Sequence, residues 1–152
     1  MNLLKGLIYT IGTGFGTGYS PVAPGTAGSV LAVVLFFLWP QGSLFWLLMA
    51  ILFFALGVPV ASAIEKERGE DPSLVVIDEV VGQWLALIFL PAMSWKIATV
   101  AFLLFRLFDI WKPFPIDYSQ QLKGGWGVMV DDVLAGVYAN LVLQFVLRSG
   151  LF

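Results

Sequence analysis

The sequence predicts an all-α protein, an integral membrane helical bundle of about five spans preceded by a short amphipathic helix. Of its 152 residues, 59% are hydrophobic and only 12% are charged, whereas a soluble domain carries about 25% charged residues. The mean hydropathy is +0.91, and the apolar segments end at proline, glycine or charged residues. We therefore expect residues 1–152 to form one domain, with the membrane bundle in residues 27–152.

Residues 1–11 are predicted to form the short amphipathic helix, which we expect to lie on the bilayer surface. Leu4, Leu7 and Ile8 recur at helical spacing, and Lys5 interrupts the apolar run. The segment therefore lacks the continuous apolar core of a signal peptide. Its two faces are typical of a helix that lies in the membrane interface.

Residues 12–26, with the sequence GTGFGTGYSPVAPGT, are predicted to form a glycine-rich substrate loop. The stretch lacks the glycine spacing of a dinucleotide-binding fingerprint, and it lacks the Gly-Lys-Ser/Thr end of a Walker motif. Two interpretations remain open. Its backbone N–H groups bind an anion at the start of the next helix, or its small residues pack against neighbouring helices.

Five apolar segments follow, and the residues at their ends predict where each helix begins and stops. Ser43 and Ser94 are predicted N-caps, and Pro91 and Pro113 end two of the segments. The first segment covers only about 20 Å of a hydrocarbon core of roughly 30 Å, so either the preceding loop completes that span or the bilayer thins there. The segments are residues 27–39, 43–64, about 73–90, 94–111 and about 128–146.

The distribution of lysine and arginine predicts a cytoplasmic amino terminus. Five alternating spans leave only Lys96 and Arg148 near the opposite face, as the positive-inside rule prefers. The same topology brings every acidic motif to the cytoplasmic face, while the opposite connections, residues 40–42 and 91–93, carry no charge. The basic residues on the cytoplasmic side are Lys5, Lys66, Arg68, Lys112 and Lys123.

The composition also excludes several kinds of chemistry. The sequence contains no histidine and no cysteine, which removes Ser-His catalysis, disulfides, and thiolate or imidazole metal ligands. The formal net charge of −2 provides no basic surface for nucleic acid. Any catalysis must use carboxylates, lysine, arginine, hydroxyl groups or a metal ion.

Five carboxylates lie near the ends of three predicted spans. Charged groups inside apolar helices cost a few kcal/mol each and usually have a partner and a function. Carboxylate oxygens without histidine or cysteine suit Mg2+ better than Zn2+. The alternative is that an acidic residue only caps its helix or offsets its dipole. The five residues are Asp78, Glu79, Asp109, Asp131 and Asp132.

Small residues follow two of these acids by one helical turn. Gly82 comes four residues after Asp78, and Gly136 comes four residues after Asp132. Because small residues let helix backbones approach closely, we predict that the third and fifth spans pack together. That packing would bring their carboxylates within reach of a shared metal.

Arg106, Asp109 and Lys112 recur every three residues, so they lie along one strip of the fourth span. The two cations suit a phosphate group. The alternative is that Arg106 only pairs with Asp109 and that Lys112 extends to the lipid headgroups. The glycines of residues 124–127 are expected to turn the chain before the last span or to free N–H groups for an anion.

Four sequence blocks together resemble the phosphatidylglycerophosphatase A family, and the resemblance covers nearly the whole chain. They are SPVAPGTAGS (residues 20–29), IDEVVGQ (77–83), FRLFDIWKPFPI (105–116) and GGWGVMVDDVLAGV (124–137). The resemblance implies a bacterial inner-membrane, multi-pass, Mg2+-dependent phosphatase whose active site faces the cytoplasm. Its substrate would be the phospholipid phosphatidylglycerophosphate, which it converts to phosphatidylglycerol.

The resemblance also implies roles for individual residues. It makes Ser20, Thr26, Arg106 and Lys112 the substrate-side positions. Metal-assisted attack by water on the phosphorus is the expected mechanism, and an aspartyl-phosphate on Asp131 or Asp132 stays open. A membrane cation or proton transporter is the alternative function, since carboxylates inside a bundle also form ion pathways. The expected metal ligands are Asp78, Glu79, Asp109, Asp131 and Asp132, and the expected catalytic residues are Asp131, Asp132, Glu79 and Lys112.

Overall fold

The computed structural model describes residues 3–151, and these residues form seven helices and no strand. The predicted all-α class is therefore confirmed. A single 3-10 turn, Thr17–Tyr19, separates the first two helices. In chain order the helices are α1 (Leu3–Gly12), α2 (Pro24–Leu38), α3 (Ser43–Arg68), α4 (Ile77–Leu87), α5 (Trp95–Trp111), α6 (Ile116–Ser119) and α7 (Gly125–Arg148).

Helix α4 lies at the centre of the bundle and packs against α2, α3, α5 and α7. Its Trp84 fills the core, with its ring centroid 5.0 Å from that of Trp46 and 5.3 Å from that of Phe53. The Trp84 indole N–H donates a hydrogen bond to the Ala32 carbonyl at 3.1 Å. Because neighbouring helices surround α4, the polar residues at its start are enclosed by protein.

Helices α4 and α7 cross at two glycines, as the sequence predicted. A Cβ atom on Gly136 would overlap the carbonyl oxygen of Gly82, and one on Gly82 would meet the Phe105 ring at 2.5 Å and the Asp132 carbonyl oxygen at 2.6 Å. The two backbones are therefore in direct contact. This contact fixes the distance between Asp78 at the start of α4 and Asp132 in α7.

The two predicted serine caps have different outcomes. Ser94 is confirmed, since its hydroxyl accepts a hydrogen bond from the Ile97 N–H at 3.2 Å. The Ser43 prediction is wrong, because Gly42 holds the N-cap position of α3 and makes no side-chain bond. The Ser43 hydroxyl instead accepts a hydrogen bond from the Phe89 N–H at 2.9 Å, just after the end of α4.

Several predicted helix bounds are also corrected. Helix α2 begins at Pro24 rather than at residue 27, and α4 is much shorter than the predicted 73–90 segment. Helix α7 begins at Gly125, so most of the predicted 124–127 turn is helical. Gly125 allows this because its N–H donates to the Ser62 hydroxyl at 2.8 Å, and a Cβ there would overlap the Val58 carbonyl of α3.

Two of the described helices, α3 and α7, are long and apolar enough to cross a membrane by length and composition. The shorter helices α1 and α2 are also apolar. Large apolar side chains face outward along α3 and α7, among them Leu48, Ile51, Leu141 and Phe145. The bundle thus carries an apolar outer surface, as expected of a protein in contact with lipid.

Candidate active site

Four helix ends meet at one end of the bundle: the starts of α2, α4 and α7 and the carboxyl end of α5. The ion pairs show the meeting: Arg106 and Lys112, near the end of α5, pair with Glu79 in the first turn of α4 and with Asp131 of α7. All of the acidic residues predicted from the sequence come together here. The side chains at this site are Asp78, Glu79, Arg106, Asp109, Lys112, Asp131 and Asp132.

The carboxylates form two overlapping groups. In the first, one oxygen from each of Asp78, Glu79 and Asp132 lies within 4.8 Å of the others. In the second, Asp109, Asp131 and Asp132 satisfy the same distance. Asp132 belongs to both groups and is therefore the centre of the cluster.

Three carboxylate oxygens at this site are buried without a hydrogen-bond partner among the described residues. They are Asp78 Oδ1, Glu79 Oε2 and Asp132 Oδ2. The Asp132 residue is only 2% exposed, and an unpaired buried carboxylate carries a large desolvation cost. An oxygen-binding cation such as Mg2+ would satisfy these atoms, and carboxylates are the ligands that it takes from proteins. The residues present therefore fit Mg2+.

Two cations connect the carboxylates across three helices. Arg106 Nη1 lies 2.5 Å from Asp109 Oδ2 and 3.8 Å from Glu79 Oε1. Lys112 Nζ lies 2.5 Å from Asp131 Oδ2 and 3.8 Å from Asp109 Oδ1. The pairing of Arg106 with Asp109 is therefore present, whereas the alternative in which Lys112 extends to the headgroups is wrong.

Lys112 is held at the site by the end of its helix. It is the C-cap residue of α5 and adopts a left-handed backbone conformation, with φ at 50°, and its N–H donates to the Phe108 carbonyl at 2.8 Å. Burial lowers the pKa of the Lys112 ammonium group, but the hydrogen bond to Asp131 and the negative charges of Asp131 and Asp109 outweigh it and raise the pKa. Lys112 is thus held between two carboxylates.

The first turn of α2 lies directly against this cluster. A Cβ atom on Gly25 would overlap Glu79 Oε1 and would lie 3.1 Å from Arg106 Nη1. No side chain caps this helix start, so its first N–H groups retain their positive character. Anion binding by the glycine-rich stretch stays a prediction, whereas its packing role is confirmed: a Cβ atom on Gly12 would meet Ile64 of α3 at 2.5 Å, and one on Gly18 would overlap the Leu74 carbonyl oxygen.

The two predicted hydroxyl positions are less directly tied to the cluster. Ser20 donates a hydrogen bond to the Val22 carbonyl at 2.8 Å and so closes the turn before α2. Thr26 follows Gly25 in the first turn of α2 and is partly buried. Contact between substrate and either hydroxyl stays a prediction.

Sequence reasoning gave no role to Gln83. It is fully buried, and neither its amide nitrogen nor its amide oxygen has a partner among the described residues. It lies four residues after Glu79 and therefore on the same face of α4. The sequence feature that could have indicated Gln83 is a polar residue inside an apolar segment. Asn140 is a contrasting case, because its amide donates to the Ala86 and Ile88 carbonyls at 3.2 and 2.7 Å.

Comparison with known proteins gives consistent results. The family model for phosphatidylglycerophosphatase A (PgpA) matches residues 10–147. A phosphatidylglycerophosphatase A of Escherichia coli K12 is 35% identical over 145 residues, covering 91% of this chain and 82% of that protein. One of Haemophilus influenzae Rd is 41% identical over 142 residues, covering 90% and 86%.

A third relative is named for a different activity. This protein of Bacteroides thetaiotaomicron is 48% identical over 142 residues, covering 88% of this chain and 89% of its own length. Its provisional name is phosphatidylinositol-3-phosphatase. No solved structure gives a significant match to this chain.

Proposed function

This chain belongs to the phosphatidylglycerophosphatase A family, and from this premise we propose that it hydrolyses phosphatidylglycerophosphate to phosphatidylglycerol and phosphate. The enzyme is a lipid phosphomonoesterase of phospholipid biosynthesis. The observation that carries the proposal is the clustering of two overlapping carboxylate groups with Arg106 and Lys112 beside the start of α2. Phosphate ester hydrolysis needs such an arrangement, because negative charge must be neutralised around one phosphorus atom.

Mg2+ is the proposed cofactor. Asp78, Glu79 and Asp132 would hold it through the oxygens that lack protein partners, and Asp109 and Asp131 would complete the ligand set. When bound, Mg2+ would offset charge on the phosphate oxygens and make a water molecule more acidic. Asp132 would be the central ligand, because it belongs to both carboxylate groups.

Arg106 and Lys112 are the proposed phosphate-binding side chains. Arg106 presents a planar set of N–H donors that suits two phosphate oxygens, and Lys112 supplies a second positive charge from the end of α5. The N–H groups at the start of α2, which lies next to Arg106, would add further donors. Ser20 and Thr26 are proposed to shape this side of the pocket.

We propose water as the nucleophile. A P–O bond to water forms as the P–O bond to the glycerol oxygen breaks, and a carboxylate of the Asp131–Asp132 pair accepts the proton of the attacking water. We assign to Lys112, which lies 2.5 Å from Asp131, the return of a proton to the departing alkoxide. Rapid acid quench tests this order, because an acid-stable phosphoenzyme would instead identify an aspartate as the nucleophile.

The proposed setting is the bacterial inner membrane, with the active site facing the cytoplasm. Helices α3 and α7 would cross it completely. Helix α5 covers about 25 Å, while α2 and α4 cover only about 22 Å and 16 Å of a roughly 30 Å core. We propose five spans in which enclosed loops complete the two short helices, with α1 on the bilayer surface.

The same site would suit a second lipid phosphomonoester. The 48% identity to the protein named for phosphatidylinositol 3-phosphate makes that lipid the second candidate substrate. Both substrates present a phosphomonoester at the membrane surface, and they differ in the polyol that carries it, which is glycerol in one and inositol in the other. A transporter remains the non-enzymatic alternative, but it would need polar groups continuing to the opposite face.

The deciding experiment measures phosphate release by the purified full-length chain in detergent micelles. We expect release from phosphatidylglycerophosphate with Mg2+, none with EDTA, and recovery when Mg2+ is returned. A parallel reaction with phosphatidylinositol 3-phosphate compares kcat/KM for the two headgroups. Absence of release from either lipid, by protein that remains folded, would overturn the proposal.

A further inference from the structure

A cavity of about 430 Å³, lined by both polar and apolar side chains, lies between α1 and the carboxyl end of α3. None of the seven active-site side chains lines it, and no acidic side chain of the described residues does so. The cavity therefore differs from the active site in charge, because its lining within residues 3–151 includes Lys5 and Arg68 but no carboxylate. Its principal lining residues are Lys5, Tyr9, Thr13, Phe15, Tyr19 and Arg68.

The two cations of this cavity are held in place around one tyrosine. Lys5 Nζ lies 2.6 Å from Glu67 Oε2, and the Tyr9 hydroxyl donates to the same oxygen at 3.0 Å. Arg68 Nε in turn donates to the Tyr9 hydroxyl at 3.3 Å. Two positive charges thus meet a single carboxylate, which leaves the cluster with a net positive charge.

Arg68 has most of its hydrogen-bonding capacity left. A guanidinium carries five N–H donors, and in the described residues one of its nitrogens, Nε, is hydrogen-bonded, to Tyr9. The guanidinium carbon and Lys5 Nζ each lie 5.7 Å from the Tyr9 ring centroid, so both cations flank the same ring. A guanidinium with free donors that is linked through Tyr9 and Glu67 to an ammonium group is suited to a phosphate.

The rim of the cavity is apolar and exposed. Phe15 is 67% exposed and Tyr19 is 60% exposed, and both line the cavity. On α1, Leu4 and Leu7 are exposed as well. Aromatic side chains beside basic residues are typical of the membrane interface, where the rings meet lipid and the cations meet headgroups.

We propose that this cavity binds the phosphodiester headgroup of an anionic phospholipid that is not the reacting substrate. Lys5 and Arg68 contact the phosphate, and Phe15 and Tyr19 contact the glycerol and the upper acyl chains. The site rests on the proposed membrane placement of the chain but not on its catalytic activity. It would anchor α1 to the membrane beside the active site.

The test measures lipid binding rather than turnover. Purified full-length chain in a neutral detergent is titrated with phosphatidylmethanol, an anionic phosphodiester lipid without a phosphomonoester, and with phosphatidylcholine of the same acyl chains. Native mass spectrometry counts the bound lipids, and the melting temperature reports stabilisation. We expect tighter binding and a larger melting shift with phosphatidylmethanol.

Two variants assign that binding to the cavity. Lys5→Gln with Arg68→Gln should weaken phosphatidylmethanol binding by roughly tenfold or more, since each basic residue near an anionic headgroup contributes about a factor of five. Thr10→Glu retains both cations and the Lys5–Glu67 pair but adds a negative charge to a cavity-lining position, so it should also weaken binding. If the double variant does not fold, Thr10→Glu still provides the test.

The control removes two positive charges elsewhere. Lys66 and Lys123 do not line this cavity, and Lys66→Gln with Lys123→Gln should bind phosphatidylmethanol as the wild type does. Equal weakening in the control, or unchanged binding in both cavity variants, would overturn the proposal. So would equal stabilisation by phosphatidylcholine, or full competition by soluble glycerol 3-phosphate, which would identify a site for free phosphate.

The result of this lipid-binding test can be distinguished from the result of the phosphate-release test. Lipid binding that depends on Lys5 and Arg68 in a chain that releases no phosphate would overturn only the enzymatic proposal. Phosphate release with wild-type kinetics by a variant that no longer binds phosphatidylmethanol would leave both proposals intact.

Discussion

Lys112 Nζ lies 2.5 Å from Asp131 Oδ2, and this ion pair joins the end of α5 to the first turns of α7. The two residues are 19 positions apart, and the connection between α5 and α7, which includes α6, lies between them. Lys112 therefore brings a positive charge from the end of α5 to a carboxylate of α7. This relationship makes Lys112 the residue whose replacement most directly tests the site.

Replacing Lys112 with Gln should lower kcat by about 100-fold, because a single preorganised donor to a developing negative charge contributes that much. Lys112→Arg should keep more activity, since the charge is retained. Steady-state kinetics on phosphatidylglycerophosphate measures both variants. Lys66→Gln, at an exposed position in the last turn of α3, is the matched control and should behave as the wild type. Equal activity of Lys112→Gln and the control would remove Lys112 from the mechanism.

Asp132 should be the most sensitive of the carboxylates, because it belongs to both of the groups that could hold a metal. Asp132→Asn is expected to weaken Mg2+ binding by more than the roughly 10- to 100-fold that loss of an outer partner costs. Isothermal titration with Mg2+ measures this without turnover. Asp117→Asn, on α6, provides the control. A larger effect from Glu79→Gln than from Asp132→Asn would contradict the shared position of Asp132.

The contact between Gly82 and Gly136 should not tolerate a side chain. Gly136→Ala forces α4 and α7 apart, because its Cβ would overlap the Gly82 carbonyl, and overpacking costs about 1–3 kcal/mol. We expect a lower melting temperature and lower activity, since Asp78 and Asp132 separate. Gly42→Ala adds the same atom in open space and should leave activity unchanged. Wild-type stability of Gly136→Ala would disprove the close contact.

Thr26→Val tests whether the start of α2 contacts substrate through a side chain. The substitution retains shape and removes the hydroxyl, so a raised KM with an unchanged melting temperature is the expected result. The loss of one hydrogen bond to a charged group corresponds to about a tenfold increase in KM. Thr99→Val, at an exposed position of α5, is the control. Unchanged kinetics in Thr26→Val would leave only a packing role for this turn.

Replacing Gln83 tests whether its buried amide stabilises the folded protein. Because neither of its amide atoms has a partner in the described residues, Gln83→Met should keep or raise the melting temperature, as removing an unsatisfied buried amide relieves a desolvation cost of about 1–3 kcal/mol. Asn140→Leu should instead lower it, because two carbonyls lose their donor. Thermal unfolding in detergent compares the two. A fall in melting temperature for Gln83→Met would mean that its amide is satisfied in the folded protein.

The sequence predicted the helical class and most of the site because both follow from local rules. Apolar runs with breakers at their ends marked the helices, and the absence of histidine and cysteine left carboxylates as the metal ligands. The Gly82 and Gly136 spacing predicted the α4–α7 contact correctly. Ser43 was misassigned because its partner, the Phe89 N–H, is distant in sequence and no local pattern reveals it.

The sequence by itself determined which residue types are available for catalysis and near which end of a helix each of these residues lies. Only the tertiary structure decided that Lys112 pairs with Asp131, that Gly25 lies against Glu79, and that Asp132 joins two carboxylate groups. The physical reason is that local sequence sets backbone propensity and polarity, whereas these contacts depend on how far two helices approach. That distance is set by the glycine crossing of α4 and α7, where two backbones touch.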